Sequence, residues 1–356
     1  MLTPAQQAKA ERARTMKKMR WAAYGIVACA LGIFGTIVTY PDPRKAERQR
    51  LLAQKGGEEA NSKNTVKLDA PPSIGGAIEA LAVEEVEQIP TGTSTIPTFP
   101  KIIHLPSTAL SSSPAAANEP GGGQQADVEY QLVGLGVRTV SILGIQVYVV
   151  GLYIAVSDIA ALQERLVHSV AGVDVATTLV PGEKNSLRAK LLDKTAGEDL
   201  WNEIIREGKL RTAFRIVPTR ATDFMHLRDG FVRAITARSN HFANDRQDLS
   251  FQDESFGDAL NDFKTAFGGT ARRKLPKGDV LFLTRNSRGV LGVCTEDKTG
   301  ARVKMGDIED ERIGRLLWLN YLAGAAVSSE PARQSIVSGV LEFVERPVGT
   351  VAAQVV

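Results

Sequence analysis

Hydrophobic and polar positions divide this chain of 356 residues into distinct parts. Residues 21–40 form an apolar run without a charge, and residues 41–97 are rich in proline, glycine, serine and threonine. From residue 98 onwards, apolar positions recur at the spacing of strands and helices, apart from a low-complexity insertion at 107–127. This pattern predicts a globular domain over residues 98–351, which a flexible linker joins to the apolar run.

The apolar run at 21–40 has the length of a membrane span. At about 1.5 Å per helical residue it extends roughly 30 Å, which matches the hydrocarbon core of a bilayer. Trp21 and Tyr40 stand at its ends, where aromatic side chains meet the membrane interface. A helix buried in a soluble domain is the alternative, but no neighbouring segment has the apolar surface to surround it. The sequence therefore predicts one transmembrane helix.

The segment before the span, residues 1–20, is basic. It carries lysine or arginine at six positions and a single acid, Glu11. Positive charge favours retention of this segment on the negative side of a membrane. A basic, acid-poor leader also resembles a mitochondrial targeting segment, and an endoplasmic-reticulum signal anchor is the alternative. The flanking charges therefore favour an N-terminal segment on the negative side of the membrane, and they do not decide between the mitochondrion and the endoplasmic reticulum.

Within the globular part, strand and helix patterns come in separate clusters. A short apolar patch between prolines, at 99–105, predicts an edge strand. Further strands are predicted over 129–156, 209–217 and a hairpin at 279–294. Helical spacing marks residues 158–170, 198–207, 222–235, 255–268, 308–323 and 329–344. Because there is no regular alternation of strand and helix, the predicted fold class is α+β.

Composition and charge exclude some classes of function. The chain is 43% hydrophobic and 23% charged with a net charge of +3, so no nucleic-acid partner is expected. The two cysteines, Cys29 and Cys294, cannot form a disulfide framework. Asp223, His226 and Asp229 have a spacing that would allow contact with a metal. Solvated polar side chains on a helix are the more common interpretation, and no metal site is predicted.

Arg138 is the candidate with the clearest chemistry. It lies in a strand-like run, and counting by twos places Val140 and Ile142 on its face. An arginine on an apolar face is rarely buried without a partner. Either a carboxylate elsewhere in the fold meets it, or it accepts an anionic ligand, because a guanidinium suits planar oxyanions. The sequence favours the structural ion pair slightly over the ligand.

Asn320 and Tyr148 are further polar side chains on apolar faces. Asn320 follows Ile313 by seven residues on a helical apolar stripe, and Tyr148 shares a strand face with Val150 and Leu152. A buried amide without a hydrogen bond costs about 1–3 kcal/mol, so each needs a partner. For Asn320 the alternatives are a bond to a neighbouring loop and an amide that lines a pocket.

Three long stretches of the chain have a recognisable sequence: GLGVRTVSILGIQVYVVGLY, FRIVPTRATDFMHLRDGFVRAI and RLLWLNYLAGAAVSSEPARQSIVSGVLEFVERP. Together they resemble the chalcone isomerase superfamily. The resemblance is closest to the fungal mitochondrial branch, the altered inheritance of mitochondria proteins, and covers roughly residues 99–351. It implies an open-faced β-sandwich in which helices are layered against a large antiparallel sheet, in agreement with the α+β prediction. The family reaction is an intramolecular Michael addition that closes a flavanone ring.

The resemblance also implies a set of pocket residues. The plant enzymes use an arginine, a threonine, a tyrosine, an asparagine, and a threonine or serine. In this chain the arginine is kept as Arg138, while the other positions correspond to Tyr148, Phe224, approximately Phe231, and Asn320. These five are the expected ligand-binding residues. Because phenylalanine donates no hydrogen bond, the hydroxyl network is expected to be lost, and no catalytic residue is assigned.

These expectations combine into a function. The chain is expected to be a single-pass protein of the mitochondrial inner membrane whose domain faces the intermembrane space. Its pocket would bind a lipophilic anion or a flat apolar ligand, with a fatty acid and haem as candidates, rather than catalyse flavanone formation. The alternative is an intramolecular lyase or isomerase that cyclises a flavonoid-like substrate. A scaffold with a vestigial pocket is a third hypothesis.

Overall fold

The structure, a computed structural model, describes residues 86–106, 127–140, 144–171, 179–268 and 274–345. The predicted basic segment at 1–20, the span at 21–40 and nearly all of the insertion at 107–127 lie outside these ranges. Within them, no helix has the length and apolar character needed to cross a bilayer. The membrane span therefore stays a prediction.

A seven-stranded antiparallel sheet forms the centre of the described part of the chain. The strands are β1 (Gln88–Pro90), β2 (Thr98–Pro100), β3 (Ile102–Pro106), β4 (Asp127–Val140), β5 (Ile145–Ala155), β6 (Thr212–Pro218), β7 (Thr222–Asp223), β8 (Lys274–Leu275), β9 (Val280–Arg285), β10 (Leu291–Glu296) and β11 (Arg302–Ile308). The order in the large sheet is β11-β10-β9-β6-β5-β4-β3, while β1 pairs with β2 and β7 with β8. The apolar patch predicted as an edge strand contains β3, which lies at one edge of the sheet, so that prediction is confirmed.

Helices connect and cover these strands. They are α1 (Ile159–Ala171), α2 (Pro181–Leu192), α3 (Ala196–Glu207), α4 (Phe224–Asp245), α5 (Glu254–Gly268), α6 (Glu311–Leu322) and α7 (Glu330–Val344). Asp223 caps α4 and Ser329 caps α7, each accepting a bond from an amide of the first turn. The sequence indicates a capping box from Ser255 and Asp258 for α5. The structure corrects this, because Asp253 accepts the amide of Phe256 instead.

The main core lies between the sheet and the helices. The rings of Trp318 and Tyr321 on α6 pack on Phe214 of β6, with ring centres 4.9 and 4.7 Å apart. A smaller apolar cluster, which includes Phe99 and Tyr153, lies apart from this main core. Successive residues of a strand point to opposite faces, which places the two clusters on opposite sides of the sheet. The α+β class, with a large antiparallel sheet and a helical layer, is confirmed.

Some elements were not predicted from the sequence. Helix α2 contains many charged and polar residues and buries only Leu187 and Leu191, so it lacks a broad apolar stripe. Strand β11 is a sheet edge with mostly exposed or half-buried residues, and the sequence pattern starts a helix at Ile308, where this strand ends. Strand β1 was also not predicted. Gln88–Pro90 lies within the segment predicted as linker, yet it pairs with β2.

Close backbone contact fixes α7 on β4. A Cβ atom added to Gly134 would lie 2.5 Å from the backbone nitrogen of Ile336, and one added to Gly136 would lie 2.2 Å from that of Ala332. A Cβ on Gly339 of α7 would lie 1.7 Å from the carbonyl oxygen of Val133. Only glycine allows backbones to approach so closely. The glycines before Arg138 therefore serve helix packing.

Candidate functional site

Arg138 is the first side chain on the helix-facing side of β4 beyond the contact with α7. Gly134, Gly136 and Arg138 follow one another by twos, so they share this face of the strand. The backbone of Ala332, in the first turn of α7, lies against Gly136, and Ser329, the N-cap of that helix, donates to the carbonyl of Val137. A register shift follows Arg138 directly, and such a bulge redirects the neighbouring side chains.

The guanidinium of Arg138 meets a carbonyl rather than a carboxylate. Nη1 donates to the carbonyl oxygen of Ser328 at 2.8 Å, and the side chain is half-buried. Arg211 and Arg238 each pair with a carboxylate, but no ion pair between described residues includes Arg138. The structural ion pair that the sequence favours is therefore not found among the described carboxylates. The Tyr148 hydroxyl is a further hydrogen-bond partner of this guanidinium, which has five N–H groups in all.

A pair of buried tyrosine hydroxyls lies beside Arg138. Tyr148 stands opposite Arg138 on β5, and the guanidinium carbon lies 5.9 Å from its ring centre. The hydroxyl oxygens of Tyr148 and Tyr321 are 2.7 Å apart. Burial raises the pKa of both tyrosines, and the charge of Arg138 only partly offsets this, so both stay protonated at neutral pH. One hydroxyl donates to the other, which leaves one proton for another acceptor.

Tyr321 corrects one expectation from the sequence. The replacements at Phe224 and Phe231 suggested that no hydroxyl network remains, but Tyr321 pairs with Tyr148 and restores one beside Arg138. The sequence analysis does not single out Tyr321, which lies in a long apolar helical stretch. Its position next to Asn320, which is itself a polar residue on an apolar stripe, was the available signal.

Asn320 holds the loop that Arg138 contacts. Its side-chain nitrogen donates to the hydroxyl of Ser328 at 2.6 Å, and its backbone carbonyl oxygen accepts from the backbone amide of Ser328 at 2.7 Å. Of the alternatives stated for Asn320, the structure shows the bond to a neighbouring loop. Asn320 is thus brought into the same cluster as Arg138 and Tyr148, with Ser328 as the residue that joins them.

The structure places Phe224 and Phe231 on α4, in the packing between helices. Phe224 is the first residue of that helix and is buried. The ring of Phe231 lies against Phe263 and Phe267 of α5, with ring centres 6.4 and 6.0 Å apart. Neither phenylalanine appears among the described hydrogen-bond or ring contacts of Arg138. Their assignment to the ligand site stays a prediction.

A small apolar cavity lies further along the helix-facing side of the sheet. It measures about 30 Å³, and Leu152 of β5 and Trp201 and Trp318 of two helices contribute to its lining. A space of this size holds a water molecule or two but no larger ligand. Leu152 and Tyr148 share a face of β5, and their separation of four residues corresponds to about 13 Å at about 3.3 Å per residue.

Comparison with known proteins defines the family. A family described as chalcone isomerase like matches residues 128–337. Two fungal proteins named altered inheritance of mitochondria protein 18, mitochondrial, are similar over about 60% of this chain. The protein from Eremothecium gossypii is 31% identical over 217 residues, and that from Debaryomyces hansenii is 32% identical over 214; the alignments span 67% of each relative.

A fatty-acid binding protein of Arabidopsis thaliana superposes with a TM-score of 0.48 at 17% sequence identity. The superposition covers 72% of this chain and 99% of the plant protein, and it is too distant to say anything about a ligand. The match to the family itself spans more than half of the 356 residues and includes Arg138, Tyr148 and Asn320. The chain therefore belongs to the chalcone isomerase-like family.

Proposed function

We propose that this chain is a mitochondrial, membrane-anchored protein whose folded domain binds a lipophilic anion, with Arg138 holding the anionic group. One observation carries the proposal: Arg138 has no carboxylate partner among the described residues, yet it lies beside a buried hydroxyl pair with a spare proton. A guanidinium and a phenolic hydroxyl are both donors, so together they suit an oxyanion. The positive end of the α7 dipole lies nearby and adds to this preference.

The apolar surroundings favour a ligand with a hydrocarbon part. Tyr148 and Leu152 share the core-facing side of β5, which runs from Arg138 towards the small apolar cavity. A ligand held by its carboxylate at Arg138 would direct its tail along this face. Because the cavity is only about 30 Å³, the tail must displace side chains of the core as it enters. A fatty acid has the required chemistry.

Haem suits this cluster less well. Haem iron in proteins is held by histidine, cysteine, methionine or a tyrosinate. Of these, the described contacts of Arg138 offer only the tyrosines Tyr148 and Tyr321. Burial raises the pKa of both, which opposes the phenolate form that iron requires. The propionates of haem would suit Arg138, but the described contacts of Arg138 include no suitable axial ligand for the iron. We therefore assign no haem.

Binding of palmitate to the full-length protein tests the proposal. Palmitate and hexadecanol have the same hydrocarbon chain, and only palmitate carries a carboxylate. Arg138→Ala should weaken palmitate binding about tenfold or more, because a hydrogen bond to a charged group contributes about 1.5–3 kcal/mol and about 1.4 kcal/mol is tenfold in affinity. Binding of hexadecanol should change little. Arg138→Lys should give an intermediate loss, because it keeps the charge without the planar fork.

Arg220→Ala is the matched control. Arg220 donates to the carbonyl of Gln146, near the same end of β5, and its side chain is exposed. Its removal deletes one positive charge from this end of the sheet without touching Arg138. Equal losses of palmitate affinity in Arg138→Ala and Arg220→Ala would refute a specific anion site. So would a loss of about 3–5 kcal/mol in stability for Arg138→Ala with unchanged affinity, which is the signature of a buried ion pair.

The cellular address is part of the proposal. The basic segment at 1–20, the apolar run at 21–40 and the mitochondrial names of the relatives support a single-pass protein of the inner membrane. We propose that its domain faces the intermembrane space. Protease added to mitochondria with ruptured outer membranes should digest the domain. Full protection would refute the orientation, and recovery of the protein in microsomes would refute the address.

An intramolecular lyase or isomerase is the second candidate, and the Tyr148–Tyr321 pair favours it. In the family reaction a phenolate oxygen bonds to the β-carbon of an enone, whose π electrons move to the carbonyl oxygen and give an enolate. Proton transfer to the α-carbon completes the addition. Arg138 and a tyrosine hydroxyl would stabilise that enolate. Saturable cyclisation of a chalcone above the spontaneous rate, reduced in Tyr321→Phe, would support this function, and its absence would refute it.

A further inference from the structure

A buried ion pair lies at the other end of the loop that Arg138 contacts. Glu198 of α3 and Arg238 of α4 are 3% and 7% exposed, and Nη1 of Arg238 lies 2.7 Å from the Glu198 carboxylate. Nη2 of Arg238 donates to the carbonyl oxygens of Ala323 and Ala326. Ala323 is the C-cap of α6, and Ala326 lies in the loop that follows it. The pair therefore anchors residues 323–326 to two other helices.

Gly324 shows how closely the loop passes over this pair. Its φ angle is +93°, a left-handed conformation that favours glycine. A Cβ added there would lie 2.9 Å from Oε1 of Glu198 and 3.0 Å from Nη1 of Arg238. The absence of a side chain thus lets the backbone rest directly on the charged groups. Two independent features, the donated bonds and the glycine, tie the loop to the ion pair.

Ser328, at the far end of the same loop, makes the contact with Arg138. Its carbonyl accepts from Arg138 at 2.8 Å, while its amide and hydroxyl are held by Asn320. Only Val327 separates Ser328 from Ala326, which Arg238 holds. In so short a segment, a displacement at Ala326 moves the carbonyl of Ser328 as well.

We propose that Glu198 and Arg238 act as a positioning pair for the anion site: they fix the loop at 323–328 and thereby set the direction of the Arg138 guanidinium. The inference rests on the proposed function, because the direction of Arg138 matters only if Arg138 holds a ligand. Neither residue touches that ligand. A purely structural pair would hold α3, α4 and α6 together without influencing Arg138, and this difference is measurable.

Arg238→Lys is the decisive variant. A lysine keeps the charge opposite Glu198 but lacks the planar fork that reaches the carboxylate and the two carbonyls together. Arg315→Lys is the matched control, since Arg315 is equally buried on α6, pairs with Glu311 and makes no described bond to the loop. In the full-length protein, Arg238→Lys should weaken palmitate binding about fivefold or more. Arg315→Lys should leave the affinity within about twofold.

Measuring the effect of Arg238→Lys in the Arg138→Ala protein distinguishes a role in positioning Arg138 from a general loss of rigidity. If Arg238 acts through Arg138, Arg238→Lys should have no further effect on palmitate affinity in the Arg138→Ala protein, because the two changes are then non-additive. An equal loss in both backgrounds would overturn the proposal, and so would unchanged affinity in Arg238→Lys. If Arg238→Lys does not fold, Gly324→Ala replaces it, since its Cβ presses on the pair while both charges remain. The same outcomes then apply.

A readout without ligand distinguishes failure of this inference from failure of the proposed function. The guanidinium N–H resonance of Arg138, assigned by its loss in Arg138→Lys, reports the bond to Ser328. It should shift in Arg238→Lys and stay unchanged in Arg315→Lys. If the wild-type protein binds no palmitate, the proposed function fails, and the resonance still shows whether the pair positions Arg138. An unshifted resonance in Arg238→Lys would overturn the inference whatever the ligand.

Discussion

Gly339→Ala tests the contact that sets α7 against β4. The added Cβ would lie 1.7 Å from the carbonyl oxygen of Val133 and 2.8 Å from its carbonyl carbon. Both are backbone atoms inside a sheet, so the helix has to retreat by more than an ångström. Overpacking costs about 1–3 kcal/mol, and backbone contact favours the upper end. Alanine regains about 1 kcal/mol of helix propensity, so the variant should be less stable by about 2 kcal/mol.

Gly230→Ala provides the matched control for this prediction. Gly230 lies inside α4, and a Cβ there would meet no heavy atom within 4 Å. The same substitution should therefore raise stability by up to about 1 kcal/mol through helix propensity alone. Urea unfolding of the two variants, with equal m-values, gives the comparison. If Gly339→Ala is as stable as Gly230→Ala, the close contact between α7 and β4 is absent and the account of the glycines fails.

Further predictions concern the hydroxyl pair and a histidine. Tyr321→Phe removes the partner of a buried hydroxyl, Tyr148, and should lower stability by about 1–3 kcal/mol; a loss below about 0.5 kcal/mol would show that the pair is not formed. Burial lowers the pKa of His241, but bonds to Asp245 and Glu198 outweigh burial and raise the pKa above its ordinary value. A raised pKa gives stability that is complete below about pH 6.5 and is lost as pH rises through the folded-state pKa. The wild-type protein should therefore lose stability as the pH rises, and the His241→Gln protein should not. Urea unfolding at several pH values measures this, and an equal pH dependence in both proteins would contradict the raised pKa of His241.

Local patterns were enough to predict most of the fold. The β4–β5 pair, the β9–β10 hairpin and the helices with clear apolar stripes follow from spacing, because burial on one face imposes a period on the sequence. Helix α2 and strand β11 were missed, since neither buries a regular set of apolar residues. Gly134 and Gly136 stand in the first of the stretches that carry the family resemblance. Their packing role required knowing that α7, two hundred residues later, lies on them.

The candidate site was predictable only in part, because it is assembled from distant segments. Arg138, Tyr148 and Asn320 each carry a local signal, a polar group on an apolar face, and the structure brings them together. Ser328 carries no such signal, and for Tyr321 the only signal is its position next to Asn320. Tyr321 meets Tyr148 across 173 positions, and Ser328 meets Arg138 across 190. A periodicity shows that a side chain is buried but does not identify its partner.

The choice between a binding protein and an isomerase depends on when the negative charge is present. Arg138 and the hydroxyl pair beside it can donate hydrogen bonds, so the same cluster suits a carboxylate that is charged before binding and an enolate that forms during a reaction. Only interactions that strengthen in the transition state accelerate a reaction. A site that already binds a carboxylate tightly in the ground state is fitted for retention. Strong preference for palmitate over hexadecanol together with no chalcone turnover would therefore assign Arg138 to binding, whereas turnover with weak palmitate affinity would assign it to catalysis.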